Sequence, residues 1–279
     1  MKEKTLYDSL LLRAGELFLK GKNQPFFERK LVENLKRIIP FQRVQHLRGR
    51  ILTEYHPQHQ QLRRVFGLVS YSPAFRVRKE IDSIKEGLLL LAAGKTGTFK
   101  IEPKRSDKSF TLTSPEMNIL FGKYIEEKTT LRFDGKNPEH LFGIEINTNG
   151  AFLFSEIVPC FGGLPTGVEG RVALLVEDKN SILSGLLLMK RGCHIFPVAF
   201  AEQNIPLLQK FSPVPLSLKL VQDLEELQLY LQQRQLSALV SGQTFRQYKR
   251  LPVEEIVLRP LITFSETEIE EQLQMYENV

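Results

Sequence analysis

The protein has 279 residues, of which 42% are hydrophobic and 25% charged, with a formal net charge of +6. These proportions exclude a disordered or fibrous chain. The length suggests about two domains, with three small ones also allowed, and is enough to build cores without staples. Cys160 and Cys193 are the only cysteines, too few for a disulfide scaffold or a Cys-based zinc knuckle, and they fit a reducing compartment. No apolar run approaches bilayer-spanning length; Leu88 to Ala93 is the longest obvious one. The chain opens on the mixed charge of Met1-Lys-Glu-Lys, and Arg13 and Glu16 soon interrupt the first apolar stretch, so a cytoplasmic protein without a signal peptide is expected.

Residues 1–75 read as strand, helix, strand, helix, strand. Leu6 to Leu12 is a short apolar run. Asn23 is placed to cap a helix with Pro25 in its first turn, and Phe27, Leu31, Asn34, Leu35 and Ile38 follow at helical spacing until Pro40. Val44 to Tyr55 suggests two strands around Arg48-Gly-Arg, His59 to Val65 a short helix, and Gly67 to Arg76 a closing strand. This order suits a ferredoxin-like α/β sandwich. Residues 76–166 repeat the theme. Helices are expected at Ile81–Leu91 and Ser114–Ile125, the latter started by Ser114-Pro115-Glu116. Strands are expected at Thr98–Pro103, Leu131–Phe133, Phe142–Ile146 and Ala151–Val158. A domain boundary is placed after the turn-rich Gly162-Gly-Leu-Pro-Thr-Gly. Residues 167–279 alternate strand and helix at 172–176, 182–189, 193–200, 221–234, 238–240 and 266–276, which argues a parallel sheet covered by helices.

The charge is unevenly spread. From Glu169 onward there are 11 Lys+Arg against 14 Asp+Glu, leaving 27 basic against 18 acidic residues before that point. A basic front part joined to a mildly acidic rear part suggests a polyanion-binding platform, although a chain that is merely well solvated would show the same balance.

Specific residues sharpen this. Arg13-Ala-Gly-Glu-Leu-Phe-Leu-Lys-Gly-Lys-Asn23, with Phe27-Glu28 and Leu31 to Asn34, resembles the N-terminal signature of the tRNA 4-thiouridine sulfurtransferases, a family also linked to thiamine biosynthesis. Lys104-Arg-Ser-Asp-Lys-Ser-Phe110 is similar to the family's THUMP-domain turn. Gly162-Gly-Leu-Pro-Thr-Gly167, Met189-Lys-Arg-Gly192, Ala238-Leu-Val-Ser-Gly242 and Leu258-Arg-Pro-Leu-Ile262 resemble motifs of its pyrophosphatase-loop domain, in family order. The resemblance implies a ferredoxin-like domain at 1–75, a THUMP domain at 76–166 and a Rossmann-like, adenine nucleotide hydrolase-like domain at 167–279. In the family the first two hold the tRNA, notably its acceptor end, and the third activates a uridine with ATP so that sulfur replaces its 4-oxygen.

The chemistry expected of that third domain is missing. Where the family reads Ser-Gly-Gly-x-Asp-Ser, this chain has Val176-Glu177-Asp178-Lys179-Asn180-Ser181. Glycine's freedom to wrap backbone N–H groups around a phosphate is gone. Glu177 and Asp178 bring carboxylates instead, and two like charges about 5 Å apart repel by roughly 3 kcal/mol at an effective dielectric of about 20. Lys179 or a metal ion would offset part of this. The interval Phe200 to Leu236, where the family carries its sulfur-transfer cysteine, holds no cysteine. Cys193 reads as core and Cys160 as structural, and Phe245-Arg246-Gln247 stands where Leu-Gly-Gln is usual. His46, His56, His59, His140 and His194 form no recognised ligand spacing; His56 and His59 read as a solvated loop, and no metal is expected.

RNA binding needs cations along a phosphate track and points where a backbone approaches closely. Arg13, Lys20, Lys22 and Arg29 supply the first, with Lys104, Arg105 and Lys108 at the THUMP-like turn; Asn23, Gly162 and Gly163 supply the second. Plain surface charge is the alternative for Lys22, Arg29 and Lys108, and Phe110 reads as core. The expectation is a tRNA-binding protein without catalytic residues, cofactor or independent activity. The alternative is a component active in 4-thiouridine formation, with ATP and Mg²⁺ at an unorthodox site or with a sulfur-transfer or adenylating partner protein. A third reading is a protein-interaction module of thiamine or sulfur metabolism. No membrane is expected as a partner; homodimers occur in the family, so a second copy is another partner the resemblance allows.

Overall fold

The computed structural model describes residues 6–15, 21–47 and 49–279. The front half runs β1 (Ser9–Ala14), α1 (Gln24–Ile38), β2 (Val44–Leu47), β3 (Arg50–Glu54), a 3-10 turn (His59–Arg64), β4 (Leu68–Val77), α2 (Ile81–Ala92), β5 (Thr98–Arg105), α3 (Ser114–Lys128), β6 (Arg132–Phe133), β7 (His140–Asn147), β8 (Gly150–Phe154) and β9 (Val158–Pro159). The rear half runs β10 (Arg171–Leu175), α4 (Lys179–Lys190), β11 (His194–Ala199), α5 (Pro206–Phe211), β12 (Lys219–Leu220), α6 (Leu224–Arg234), β13 (Ala238–Val240), β14 (Ile256–Leu258) and α7 (Glu266–Glu277). No helix among the described residues is long and apolar enough to cross a membrane.

Two compact units result. The first comprises residues 1–13, 41–59 and 70–159; the second comprises 14–40, 60–69 and 160–279. The first is built on a sheet of order β2-β3-β1-β4-β8-β7-β5-β6, with β9 also paired to β4. β5 runs parallel to β6 and β7, whereas β8 runs antiparallel to both β4 and β7. Phe99, Ile101, Phe142, Ile144 and Leu153 pack with Ile84 and Leu88 of α2 and Met117, Phe121 and Ile125 of α3, and all are buried. Phe110 belongs to this core, as its sequence context suggests.

Three local expectations are revised. Asn23 precedes α1, but its backbone is already helical and its side chain makes no capping bond, leaving Pro25 as the local start signal. α3 is capped by Thr113 rather than Ser114, because Thr113 and Glu116 form a reciprocal capping box. The single strand expected over 151–158 is two. Phe75 faces Leu153 and Tyr71 faces Val158, so four steps along β4 match five on the other side. One extra residue is accommodated there, as in a bulge.

In the second unit β12-β11-β10-β13-β14 form a parallel sheet. Alternation along β10 sends Val172, Leu174 and Val176 to one face with α4, α5 and α7, and Ala173 and Leu175 to the other with Leu227 and Leu231 of α6. Phe66, Phe161, Phe211 and Tyr276 cluster with centroid separations of 4.4 to 6.4 Å, in a mixture of stacked and edge-on pairs. Because Phe66 is fully enclosed in this unit, Phe66→Ala is expected to cost about 3–5 kcal/mol, read as a lowered urea midpoint with unchanged m-value.

Candidate functional site

In the first unit the basic turn after β5 is built by its own charges. Arg105 donates through Nη1 to the carbonyls of Phe110 (2.8 Å) and Leu112 (2.9 Å), so its guanidinium braces the turn. Asp107 accepts from Lys79 Nζ at 2.6 Å and from Ser109, which together hold its carboxyl well below the usual range. Lys104 is half-exposed and pairs with Glu102 at 2.8 Å, a hydrogen bond that lowers the pKa of Glu102. Lys108 is exposed.

Beside this turn lies a cation that the sequence offered only as part of Arg48-Gly-Arg. Arg50 lines a cavity of about 150 Å³ with Lys104, Arg105 and Ser106. Arg50 Nε bonds Glu145 Oε2 at 2.8 Å, and Arg13 Nη2 bonds Glu145 Oε1 at 3.1 Å. Arg13 also donates to Ser72 Oγ at 2.9 Å and lies 5.1 Å over the Phe154 ring, with its side chain only 12% exposed. Burial lowers the Arg13 pKa, opposed by Glu145, and the group stays cationic. Arg13 is therefore engaged inside the protein, and of the triad Arg50 is the more accessible cation. A larger cleft of about 890 Å³ carries Arg76, Arg78 and Lys79, but Glu80, Asp82 and Glu86 line it too, so its charge is mixed.

In the second unit Lys22, Asn23 and Arg29 are placed at and after the start of α1, and all three are exposed. Lys20 lies outside the described residues. Gly162 and Gly163 have φ of +67° and +77°, and a Cβ on Gly163 would strike the Lys190 carbonyl. Leu164 N donates to Lys190 O at 2.9 Å, Gly167 N to Gly192 O at 2.8 Å, and Asn34 Nδ2 to Thr166 O at 3.0 Å. The Gly162–Gly167 and Met189–Gly192 motifs are thus one clasp. The backbone that comes close to Gly163 is the chain's own.

The turn at 176–181 leads from β10 into α4, next to the point where β11 and β13 flank β10 on opposite sides. In open parallel sheets such a point is the usual ligand crevice. Here it is filled. Asp178 caps α4, its Oδ1 accepting from Ser181 N at 3.0 Å and from Ser181 Oγ at 3.1 Å. Ser181 Oγ in turn accepts from the amides of Glu177 (3.0 Å) and Asp178 (3.3 Å). Asn180 is buried and donates to Gln247 Oε1 at 3.3 Å. Gly242 packs so tightly on Asn180 and Ser181 that a Cβ there would collide with their backbone. Lys179 turns to Glu270 at 2.7 Å. Partial burial raises the Glu177 pKa, and Asp178 adds to the shift. The amides of Glu177, Asp178 and Ser181 are bonded within the chain, and the carboxylates of Glu177 and Asp178 stand beside them. The turn thus differs from a glycine-lined phosphate cradle in both its engaged donors and its charge.

The cysteines and histidines add no reactive centre. Burial pushes the Cys160 thiol up to about 12 and raises that of Cys193, which keeps both protonated. His59 is half-buried rather than solvated, bonding Tyr71 Oη at 2.9 Å, and burial lowers its pKa. Among the described residues no group of three His, Cys, Asp or Glu side chains is arranged to hold a metal ion.

Two outcomes follow from this geometry. Glu145→Ala leaves two guanidinium groups without their shared carboxylate and is expected to lower stability by about 3–5 kcal/mol in urea unfolding. Glu177→Gln removes a carboxylate whose pKa is raised on folding, so charging it opposes folding. The variant is expected to melt higher at pH 7, and the gain to fade as pH falls through the carboxylate range, measured by calorimetric Tm.

Comparison with known proteins gives this architecture relatives. Residues 9–72 match the ThiI ferredoxin-like domain and residues 78–156 the THUMP domain. A probable tRNA sulfurtransferase of Moorella thermoacetica is 38% identical over 205 residues, covering 70% of this chain and 53% of the relative. One from Mycoplasmopsis synoviae is 35% identical over 189 residues, covering 67% and 50%. The chain spans about half the length of the curated relatives it matches. A crystal structure of PH1313 from Pyrococcus horikoshii superposes with a TM-score of 0.85 at 26% identity, covering 98% of this chain and 100% of that one. A 4-thiouridine synthetase, solved as an RNA complex with bound ATP, gives a TM-score of 0.81 at 26% identity, with coverage of 97% and 85%. The chain thus carries a ThiI ferredoxin-like domain and a THUMP domain ahead of a parallel-sheet domain, and it is similar in sequence to probable tRNA sulfurtransferases and in structure to a 4-thiouridine synthetase.

Proposed function

We propose that this chain binds tRNA, at its acceptor-end region, through residues 1–166 and does not itself carry out ATP-dependent adenylation or sulfur transfer. The functional parts are then a ferredoxin-like domain at 1–75, a THUMP domain at 76–166 and a degenerate pyrophosphatase-loop domain at 167–279 that serves as scaffold. RNA binding is supported by the THUMP match, by the RNA complex of the related 4-thiouridine synthetase, and by the cations Arg50, Lys104 and Lys108 around the β5 turn. The observation that carries the non-catalytic part is the 176–181 turn, where the amides of Glu177, Asp178 and Ser181 are bonded by the Ser181 and Asp178 side chains. The absence of any cysteine from Phe200 to Leu236 points the same way.

Calorimetry of one preparation with ATP and with a tRNA acceptor minihelix tests both halves. The minihelix is expected to bind at low salt and ATP to give no binding heat. ATP binding together with 4-thiouridine formation on added tRNA would overturn the non-catalytic half, and a silent minihelix the RNA half. The double variant Lys104→Glu, Lys108→Glu is expected to weaken minihelix binding. The slope of log affinity against log salt is expected to become shallower by about one for each phosphate that is no longer neutralised.

A further inference from the structure

We propose that the turn at residues 243–250 is a second RNA-binding surface, which takes unpaired bases by stacking. The proposal rests on the RNA-binding reading for the class of polymer, and on its own residues for the site. Phe245 is 80% exposed and Tyr248 56%. A lone exposed apolar side chain is unremarkable. Here two aromatic rings share one turn with Arg246, Lys249 and Arg250, all exposed, while Arg259 stacks on Tyr248 at 4.8 Å. These four cations are drawn from the 11 basic residues found after Glu169, so the other 7 face 14 acidic residues. Positive charge in an otherwise acidic domain is gathered around the exposed rings. Glu254 and Glu255 of the same stretch are engaged by Gln232 and Gln228 of α6.

The turn is held rigid. Gln243 Oε1 accepts from Lys249 N (3.2 Å) and Arg259 Nε (3.0 Å), and Arg259 Nη2 donates to Lys249 O (3.1 Å). Phe245 N donates to Ile262 O at 3.0 Å, and Thr244 and Gln247 form a capping box over the 3-10 turn Phe245–Gln247. The rings are therefore presented on a backbone that is already ordered, which lowers the conformational cost of binding. The turn follows β13, on the C-terminal side of the parallel strands and beside the filled crevice.

Aromatic faces joined to a basic rim match the needs of a single-stranded nucleic acid, in which bases stack and phosphates meet cations. Duplex RNA keeps its base faces stacked internally and offers mainly backbone and 2′-hydroxyls. An acidic protein surface would use the cations and leave the rings idle.

The test uses the full chain, low salt, and fluorescence anisotropy with two separate probes, fluorescein-labelled oligoadenylate and a blunt-ended RNA duplex. Phe245→Ala, a change at an exposed site, is expected to weaken oligoadenylate binding about tenfold. Phe245→Trp is expected to retain it, and duplex binding to move by less than about twofold in either variant. Failure of the wild type to bind oligoadenylate, or equal binding by Phe245→Ala, overturns the proposal; equal binding is also what cations serving an acidic protein would give. A wild type that binds oligoadenylate but not the duplex supports the stacking surface and strikes instead at the reading of residues 1–166.

Discussion

The rear unit depends on how the first turn of α4 disposes of its backbone donors. Every α-helix begins with N–H groups that lack an intrahelical partner, and an anion is one way to satisfy them. Here the side chains of Ser181 and Asp178 do so for the amides of Asp178 and Ser181, from within the chain. Once that is settled, Asn180 can turn inward to Gln247, Gly242 can close on the backbone behind it, and Glu177 and Asp178 can stand where a polyanion would otherwise lie. The crevice is a packed joint between the β10–α4 turn and the segment after β13.

The front unit solves a different problem, that of keeping several cations close together. Glu145 accepts from both Arg13 and Arg50 and is nearly buried, so one carboxylate is shared by two guanidinium groups. Arg105 directs its donors to carbonyls of the following turn, and Lys79 fixes Asp107. The cations are thereby divided between those that organise the surface and those, such as Lys108, that extend from it.

The alternation of elements was legible because periodicity and breakers suffice for it: Pro40 follows the end of α1, and Leu227 and Leu231 fall on one face of α6. The loss of glycines at 176–181 was equally plain in the sequence. Partnership was not. Nothing in one dimension pairs Arg13 with Glu145, 132 residues away, and so an internal ion pair read as a surface cation. Gly162 and Gly163 signalled close approach, but not that Lys190 is what approaches. Phe245 and Tyr248 carried no such signal, because exposure belongs to the folded chain.

The joint at Gly242 also limits what substitution at the 176–181 turn can achieve. Replacing Glu177 and Asp178 by glycines would free Ser181 N, but the Ser181 hydroxyl would still accept from the amides at 177 and 178, and the side chain of Gln247 would still occupy its place against Asn180. The Asp178 side-chain cap would be lost as well, although glycine is itself tolerated at that position and the typical cost is only about 0.3 kcal/mol. Opening the crevice therefore takes more than restoring glycine, because the Gln247–Asn180 contact and the close approach of Gly242 would have to change together with it.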